Sequence, residues 1–407
     1  MPSGRSGLLS GRNAAIVTTA LVTLVGAGAG FATTSDPFQT VVYSGASVRV
    51  PASWPVVNLD AAPDTCVRFD QHAVYLGTPG AHPACPARLF GRTETVWIQR
   101  LDPTSDDAKR ATRTTQIASQ PVRTDPDSSV TQTLVDVLDS TGAQVSISYG
   151  DDRDTARGIE ASLQADGPSA RGPLTRTDST PAPPSPLNDQ FSGGGFDACA
   201  APDTGTMQAW LASPYRGVGV YIGGSQRACA QPNLTSAWLN TVRGQGWHVW
   251  PMYVGLQPPC VGQGGLGHID PNNARAQGVQ AADDAANIAQ RLGFGSGTPL
   301  IYDMEHYNGC GATVTAFLDG YDAQLHARGY GAGLYESGSN FADVTNANIT
   351  KPDAVDIAVW NGQATPGTSS TPASYAGHQI HQYQGGHNES YGGQTINIDN
   401  DQLDINL

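Results

Sequence analysis

The hydrophobic positions of this 407-residue chain change rhythm near its middle. Beyond residue 190, short apolar runs alternate with longer amphipathic stretches. "GGFDAC", "GVGVYIGG", "WHVWPMYVG", "PLIYDMEHY" and "YGAGLYES" read as strands. Each leads into a helical pattern. "DTGTMQAWLAS" offers Asp203 as a natural N-cap, "LTSAWLNTVRGQG" is stopped by glycine, and "PNNARAQGVQAADDAANIAQRLG" has Pro271 near its start. "ATVTAFLDGYDAQLHARG" places Ala316, Phe317, Leu318, Tyr321 and Leu325 near helical spacing, and "SNFADVTNAN" is a short helix. Then the helices stop, and "DIAVWNG", "HQIHQYQG" and "INIDNDQLDIN" follow as strands joined by loops. Alternating strands and helices argue for a parallel sheet. Five such units and three strands fill the eight positions of a TIM-like (β/α) barrel variant over 191–407. An open doubly wound sheet is the alternative. Against it, the first strand–helix turn lacks GxGxxG, and no phosphate loop occurs.

The first half has a different texture. "TVVYSGASVRVPASWPVVNLD", "HAVYLGTP", "TETVWIQRL" and "AQVSISYG" are strand-like, and a helix is expected near 107–118. Residues 35–165 read as an accessory α+β or mostly-β domain. A proline-rich linker spans 166–190 and contains almost no large apolar residue. Residues 1–32 read as a cleavable export signal. Arg5 and Arg12 precede an uncharged apolar run, and Gly30 and Ala32 fit the cleavage positions. An uncleaved anchor is the alternative; no other stretch could span a bilayer, so no stable membrane span is expected after cleavage. His72, His82 and Asp70 match no metal-ligand spacing and read as ordinary surface residues.

Composition narrows the function. The net charge is -14, and lysine occurs only at Lys109 and Lys351. With no basic stripe and an acidic second half, nucleic acid is not an expected partner. Gly 48 and Pro 28 make the chain loop-rich. Export makes the six cysteines a disulfide set. Cys199, Cys229, Cys260 and Cys310 fall just beyond strand ends. Nearest-neighbour pairing is therefore expected, as Cys66–Cys85, Cys199–Cys229 and Cys260–Cys310. No CxxC suggests zinc, no calcium-loop order occurs, and no cofactor or metal is expected. A monomer is expected.

The polar residues fall where barrel chemistry needs them, at the C-terminal ends of strands. Asp197 ends the first strand, Tyr221 the second and Tyr253 the third. Asp303 and Glu305 end the fourth, Tyr335 the fifth, Trp360 the sixth, and Gln382 with Tyr383 the seventh. The last strand carries Asp399, Asp401 and Asp404. Asp303 and Glu305 share one face of an extended chain, ~6.6 Å apart between Cα atoms, with Met304 turned away. Two close, partly buried carboxyls repel, so one can stay protonated near neutral pH. Glycoside hydrolysis needs such an acid and an anionic partner. Aromatic rings at the mouth could stack on sugar faces, although Trp247 and Trp250 read as core. A Ser-His-Asp arrangement has no support, because no G-x-S-x-G elbow occurs.

"GFDACAAP", "YDMEHY", "HQYQGG" and the terminal "DINL" resemble the muramidases of glycoside hydrolase family 25. More closely, residues from about 193 to 407 resemble the glycoside-hydrolase-like domain of secreted actinobacterial proteins, formerly a domain of unknown function. The resemblance covers about half the chain. It implies a five-plus-three barrel and an exported protein acting on cell-wall polysaccharide. It also implies Glu305 as general acid, Asp303 as its partner and Asp197 as the strand-one carboxylate. Gln382, Tyr383 and Asp404 match the family's other positions. Departing from the muramidases, Cys199 and a proline-containing turn follow the first acid, so turnover stays open beside simple glycan binding.

Overall fold

A computed structural model describes residues 36–167, 189–262 and 266–406. The expected export signal and most of the proline-rich segment lie outside the described residues. Pro37–Leu407 forms one compact unit.

The N-terminal region is sheet-rich. Strands β1 (Phe38–Tyr43) and β2 (Ala46–Pro51) pair with a two-residue strand, β10 (Gln164–Ala165). The larger sheet holds β3 (Val56–Asn58), β4 (Val74–Leu76), β5 (Thr95–Arg100), β6 (Arg113–Ile117), β7 (Gln120–Thr124), β8 (Thr133–Leu138) and β9 (Ala143–Ser148). Its order is β3-β4-β5-β9-β8-β7-β6. Helices α1 (Asp106–Arg110), α2 (Ser128–Thr131) and α3 (Arg153–Ala161) are short. The helix expected over 107–118 is thus cut to its first half. Ser105 caps α1, accepting from the Ala108 amide, but the next stretch carries the β-branched pair Thr114 and Thr115 and pairs as β6 with β7. Ala118 and Ser119 take the left-handed conformation, at φ 45° and 68°, that a two-residue hairpin turn requires.

The second half closes a barrel. In chain order it runs β11 (Gln190–Asp197), α4 (Thr204–Ala209), β12 (Gly217–Gly223), α5 (Ser236–Gly244) and β13 (His248–Tyr253). It continues through α6 (Ala274–Leu292), β14 (Pro299–Asp303), α7 (Gly311–Ala327), β15 (Gly331–Ser337) and α8 (Phe341–Asn346). The last strands are β16 (Ala354–Ala358), β17 (Gln379–Tyr391) and β18 (Gln394–Asn406). Each strand from β11 to β16 runs parallel to the next. β18 is antiparallel to both β17 and β11 and completes the closure. Five strand–helix steps and three strands match the expected pattern. Asp203 caps α4 as expected, accepting from the Gly205 and Thr206 amides.

Two apolar layers hold the barrel. Alternate residues of each strand pack outward on the helices, as Val218, Val220, Tyr302 and Leu334 do. The others fill the lumen, where Trp250, Met252, Ile301, Ile380, Leu403 and Ile405 cluster. Trp250 needs space from its neighbours. A Cβ on Gly219 would stand 2.7 Å from the indole, so a side chain there could not coexist with it.

The two halves are joined at the loop after β12 and at α6. Phe69 N–H donates to the Ala228 carbonyl at 2.7 Å, Ala230 N–H to Val67 at 3.1 Å and Gly91 N–H to Gln226 at 2.8 Å. Arg291 on α6 grips Asp106 of α1 with two nitrogens, at 2.5 and 3.2 Å. Among the described residues, no helix is long and apolar enough to cross a membrane.

Candidate functional site

The parallel strands deliver their C-terminal ends to one mouth of the barrel. There the lumen-facing parity turns from apolar to acidic. A cavity of ≈ 660 Å³ opens above it. The barrel lines it with Tyr221, Asp303, Glu305, Tyr335, Trp360, Gln382 and Asp399, and the N-terminal region adds Asp70, Arg88, Leu89 and Phe90.

The D-M-E segment keeps its strand-like alternation past the end of β14. Met304 N–H donates to the Tyr335 carbonyl at 3.1 Å while its side chain packs in the outer core. Asp303 and Glu305 both face the cavity. Buried Gln257 clamps this segment. Its Nε2 donates to the Asp303 carbonyl at 2.9 Å, and its Oε1 accepts from Glu305 N–H at 2.9 Å.

Gln382 is the hub of the floor. Its Nε2 donates to Asp197 Oδ2 at 2.9 Å and to Asp399 Oδ2 at 3.5 Å. Its Oε1 accepts from Tyr335 Oη and from Trp360 Nε1, each at 3.0 Å. Asp197, fully buried behind it, accepts a second bond from Tyr221 Oη at 3.2 Å. Asp399 also accepts from Gly386 N–H, at a bulged stretch of β17.

Burial dominates the electrostatics, and mutual repulsion adds to it. Asp197 and Asp303 are pushed well above the ordinary carboxylate range, first by desolvation and then by neighbouring acids. Asp401 is raised for the same reasons, and Asp356 is pushed up to about 8. The two acids nearest Arg88 behave differently. Burial raises Glu305 to about 7, while the Arg88 charge draws it back. Asp399 is raised only to about 6, because Gly386 N–H and Arg88 favour its anion. Of the two, Asp399 is the more readily ionised and Glu305 the more readily protonated. Such a pair can give a proton on one side and offer negative charge on the other.

The structure brings together Asp197, Asp303, Glu305, Tyr221, Tyr335, Trp360 and Gln382. Three expected residues lie elsewhere, and strand parity explains each. Tyr253 has the opposite parity to Trp250 and Met252, packs outward in the core, and donates to Asp284 of α6 at 2.9 Å. Tyr383 follows inward-facing Gln382, so it cannot share the cavity. Asp404 lies near the other end of the barrel, because β18 runs antiparallel. It pairs in register with Ser192 and accepts from Gly377 N–H at 2.9 Å. Asp356, Arg88 and Gln257 were not singled out in the sequence, and Asp399 was named there only among the acids of the last strand. The parity of "INIDND" signals Asp399; nothing local signals Arg88.

All three disulfides pair as expected. Cys199–Cys229 ties the loops after β11 and β12, and Cys260–Cys310 those after β13 and β14. His72 stacks on Trp54, and His82 pairs with Asp203 at 3.1 Å, so each serves a local contact.

Residues 208–403 match the family described as Rv2525c-like, glycoside hydrolase-like domain. The match falls on the barrel, and the resemblance read from its motifs stands. No curated protein matches the chain. Among solved structures, an uncharacterized B. stearothermophilus protein is similar at 18% identity, over 52% of this chain and 95% of that one, with a TM-score of 0.37. The catalytic domain of endolysin ply40 from bacteriophage P40 of Listeria monocytogenes is similar at 15% identity, over 52% and 93%, with a TM-score of 0.33. The modular autolysin LytC from Streptococcus pneumoniae is similar at 10% identity, over 72% and 66%, with a TM-score of 0.37.

Proposed function

We propose that this is an exported glycoside hydrolase of the TIM-type barrel class, acting on bacterial cell-wall glycan with Glu305 as general acid. The observation that carries the reading is one cavity in which Glu305 and Asp399 stand among Tyr221, Tyr335 and Trp360. The family match over the barrel supports a glycoside-hydrolase-like role, and three disulfides support an oxidising, extracellular location. Residues 35–165 act as an accessory domain that walls the cleft, and 191–407 carry the chemistry.

Sugar rings would lie against the aromatic residues. Glu305, protonated below about pH 7, gives its proton to the glycosidic oxygen. Asp399, ionised above about pH 6, faces the positive charge that develops on the sugar as the glycosidic bond breaks; water then adds to that carbon, and its proton is passed back to Glu305. Asp303 lines the same cavity beside Glu305, and its own burial favours its neutral form. Asp197 holds Gln382 and Tyr221 in place. The test is release of reducing ends from purified wall glycan by the wild-type chain and Glu305→Gln. Release only by the wild type supports the reading; equal release by both ends it.

One observation favours a second reading, a non-catalytic glycan-binding module. The Arg88 guanidinium lies 3.9 Å over the Trp360 ring and narrows the mouth. That reading predicts retention on insoluble wall without sugar release, and loss of retention in Trp360→Ala.

A further inference from the structure

Arg88 belongs to the N-terminal region but points into the barrel's cleft. Its backbone is held on both sides. The Cys66–Cys85 bond fixes the loop before it. Ala87 N–H donates to Asn397 Oδ1 on β18 at 2.8 Å, and Gly91 N–H reaches the loop after β12. The side-chain stem lies against the bulge of β17, with Cδ 3.4 Å from where a Cβ on Gly385 or Gly386 would stand. The guanidinium carbon lies over the Trp360 ring, 3.9 Å from its centre. Stacking on indole orders the group while leaving its N–H edge free to bind. Among the described residues, no carboxylate closes an ion pair on it. Arg68, by contrast, is spent on Asp70, at 2.9 and 2.5 Å.

The surroundings give this cation a purpose. Asp70, Asp303, Glu305 and Asp399 line the same cavity. Without Arg88 the cleft would repel an anionic ligand. With it, one ordered, fork-shaped donor stands within reach of the sugar-binding aromatics. We propose that Arg88 makes the cleft selective for a carboxylate-bearing saccharide, its guanidinium receiving that carboxylate beside the linkage between Glu305 and Asp399. The inference rests on the cleft being the glycan site. The carboxylate could belong to an acidic sugar substituent or to a peptide attached to it, and both present the same two oxygens to the fork.

The experiment is equilibrium binding to the full chain with its disulfides intact, in a Glu305→Gln background so that nothing is cleaved. Four probes are compared: a peptide-free wall tetrasaccharide with its carboxylates, the same molecule with carboxyls reduced, the peptide-bearing fragment, and chitotetraose. A charge-assisted pair predicts about 10-fold or more preference for the carboxylate form over the reduced one. Arg88→Ala should abolish that preference, Arg88→Lys should keep part of it, and Arg88→Glu should reverse it. A merely structural role for Arg88 would weaken all probes together and leave the ratio unchanged, which would overturn the proposal. Dependence on Arg88 for the peptide-bearing probe alone supports it and assigns the carboxylate to the peptide. Equal binding of all four probes by the Arg88 protein overturns it but leaves the glycan cleft standing. Failure to bind any probe overturns both.

Discussion

Replacing Gln382 by leucine removes the hub of the floor with little change in volume. Gln382 is buried and makes four hydrogen bonds. Their losses are unequal. Trp360 is 49% exposed, so water can replace its lost acceptor. Asp399 keeps Gly386, and the bond lost there is long, at 3.5 Å. Tyr335 Oη is buried and loses its partner outright, at a cost of about 1–3 kcal/mol. Asp197 keeps Tyr221 but loses its shorter bond, worth about 0.5–1.5 kcal/mol. The sum is about 1.5–4.5 kcal/mol, or roughly 3–18 °C in Tm for a barrel of this size. The assay is a thermal melt under non-reducing conditions. Exposed Gln384 supplies the control, since Gln384→Leu should shift Tm by only about 1 °C. If Gln382→Leu melts alongside that control, the hydrogen-bond hub does not organise the floor.

Other outcomes follow from the same geometry. Asp356 is buried, its oxygens lack protein donors, and its pKa of about 8 lies above the ordinary 3.8. The native state thus binds more protons than the unfolded chain across that window, and stability falls as pH rises through it. Asp356→Asn should gain little at pH 4 and most at pH 8; equal Tm changes at both pH values would refute this. Glycan release should peak between about pH 6 and 7, the basic limb following deprotonation of Glu305 and the acid limb protonation of Asp399. A profile still rising at pH 9 would exclude Glu305 as the acid. Trp360→Ala should weaken retention on wall glycan by about 5–30-fold, as truncating an anchoring aromatic does; unchanged retention would remove the indole from the binding surface.

Much of this was legible in the sequence, for reasons that parity makes clear. The alternation of apolar runs and capped helices announced the order of the barrel elements, because burial of one face sets each period. Asp303 and Glu305 stood out because acids ended an apolar strand. The same period-two rule, carried along whole strands, would have removed Tyr253, Tyr383 and Asp404 and added Asp356 and Asp399. Strand ends alone are a weaker guide, since half of the residues there face the helices. The length of β17 and β18 was harder to see. Beyond the barrel they form a hairpin, turned by Gly392 and Gly393 at φ 58° and 81°, which packs on the core through Tyr391, Ile396 and Ile398. Three apolar residues among polar ones give too short an alternation to mark its length. Arg88 could not be read at all. It reaches the cleft through tertiary docking of a loop more than 200 residues before Glu305, an order of separation that no local pattern encodes.

The most direct test of the central claim is the structure of the Glu305→Gln protein with a bound wall oligosaccharide. A glycosidic oxygen within hydrogen-bond reach of the residue 305 side chain, with the adjoining sugar ring beside Asp399, is the predicted result. An oligosaccharide seated instead in the groove formed by His82, Pro86, Thr206 and Asn397, with the Glu305 cavity left to solvent, would contradict it.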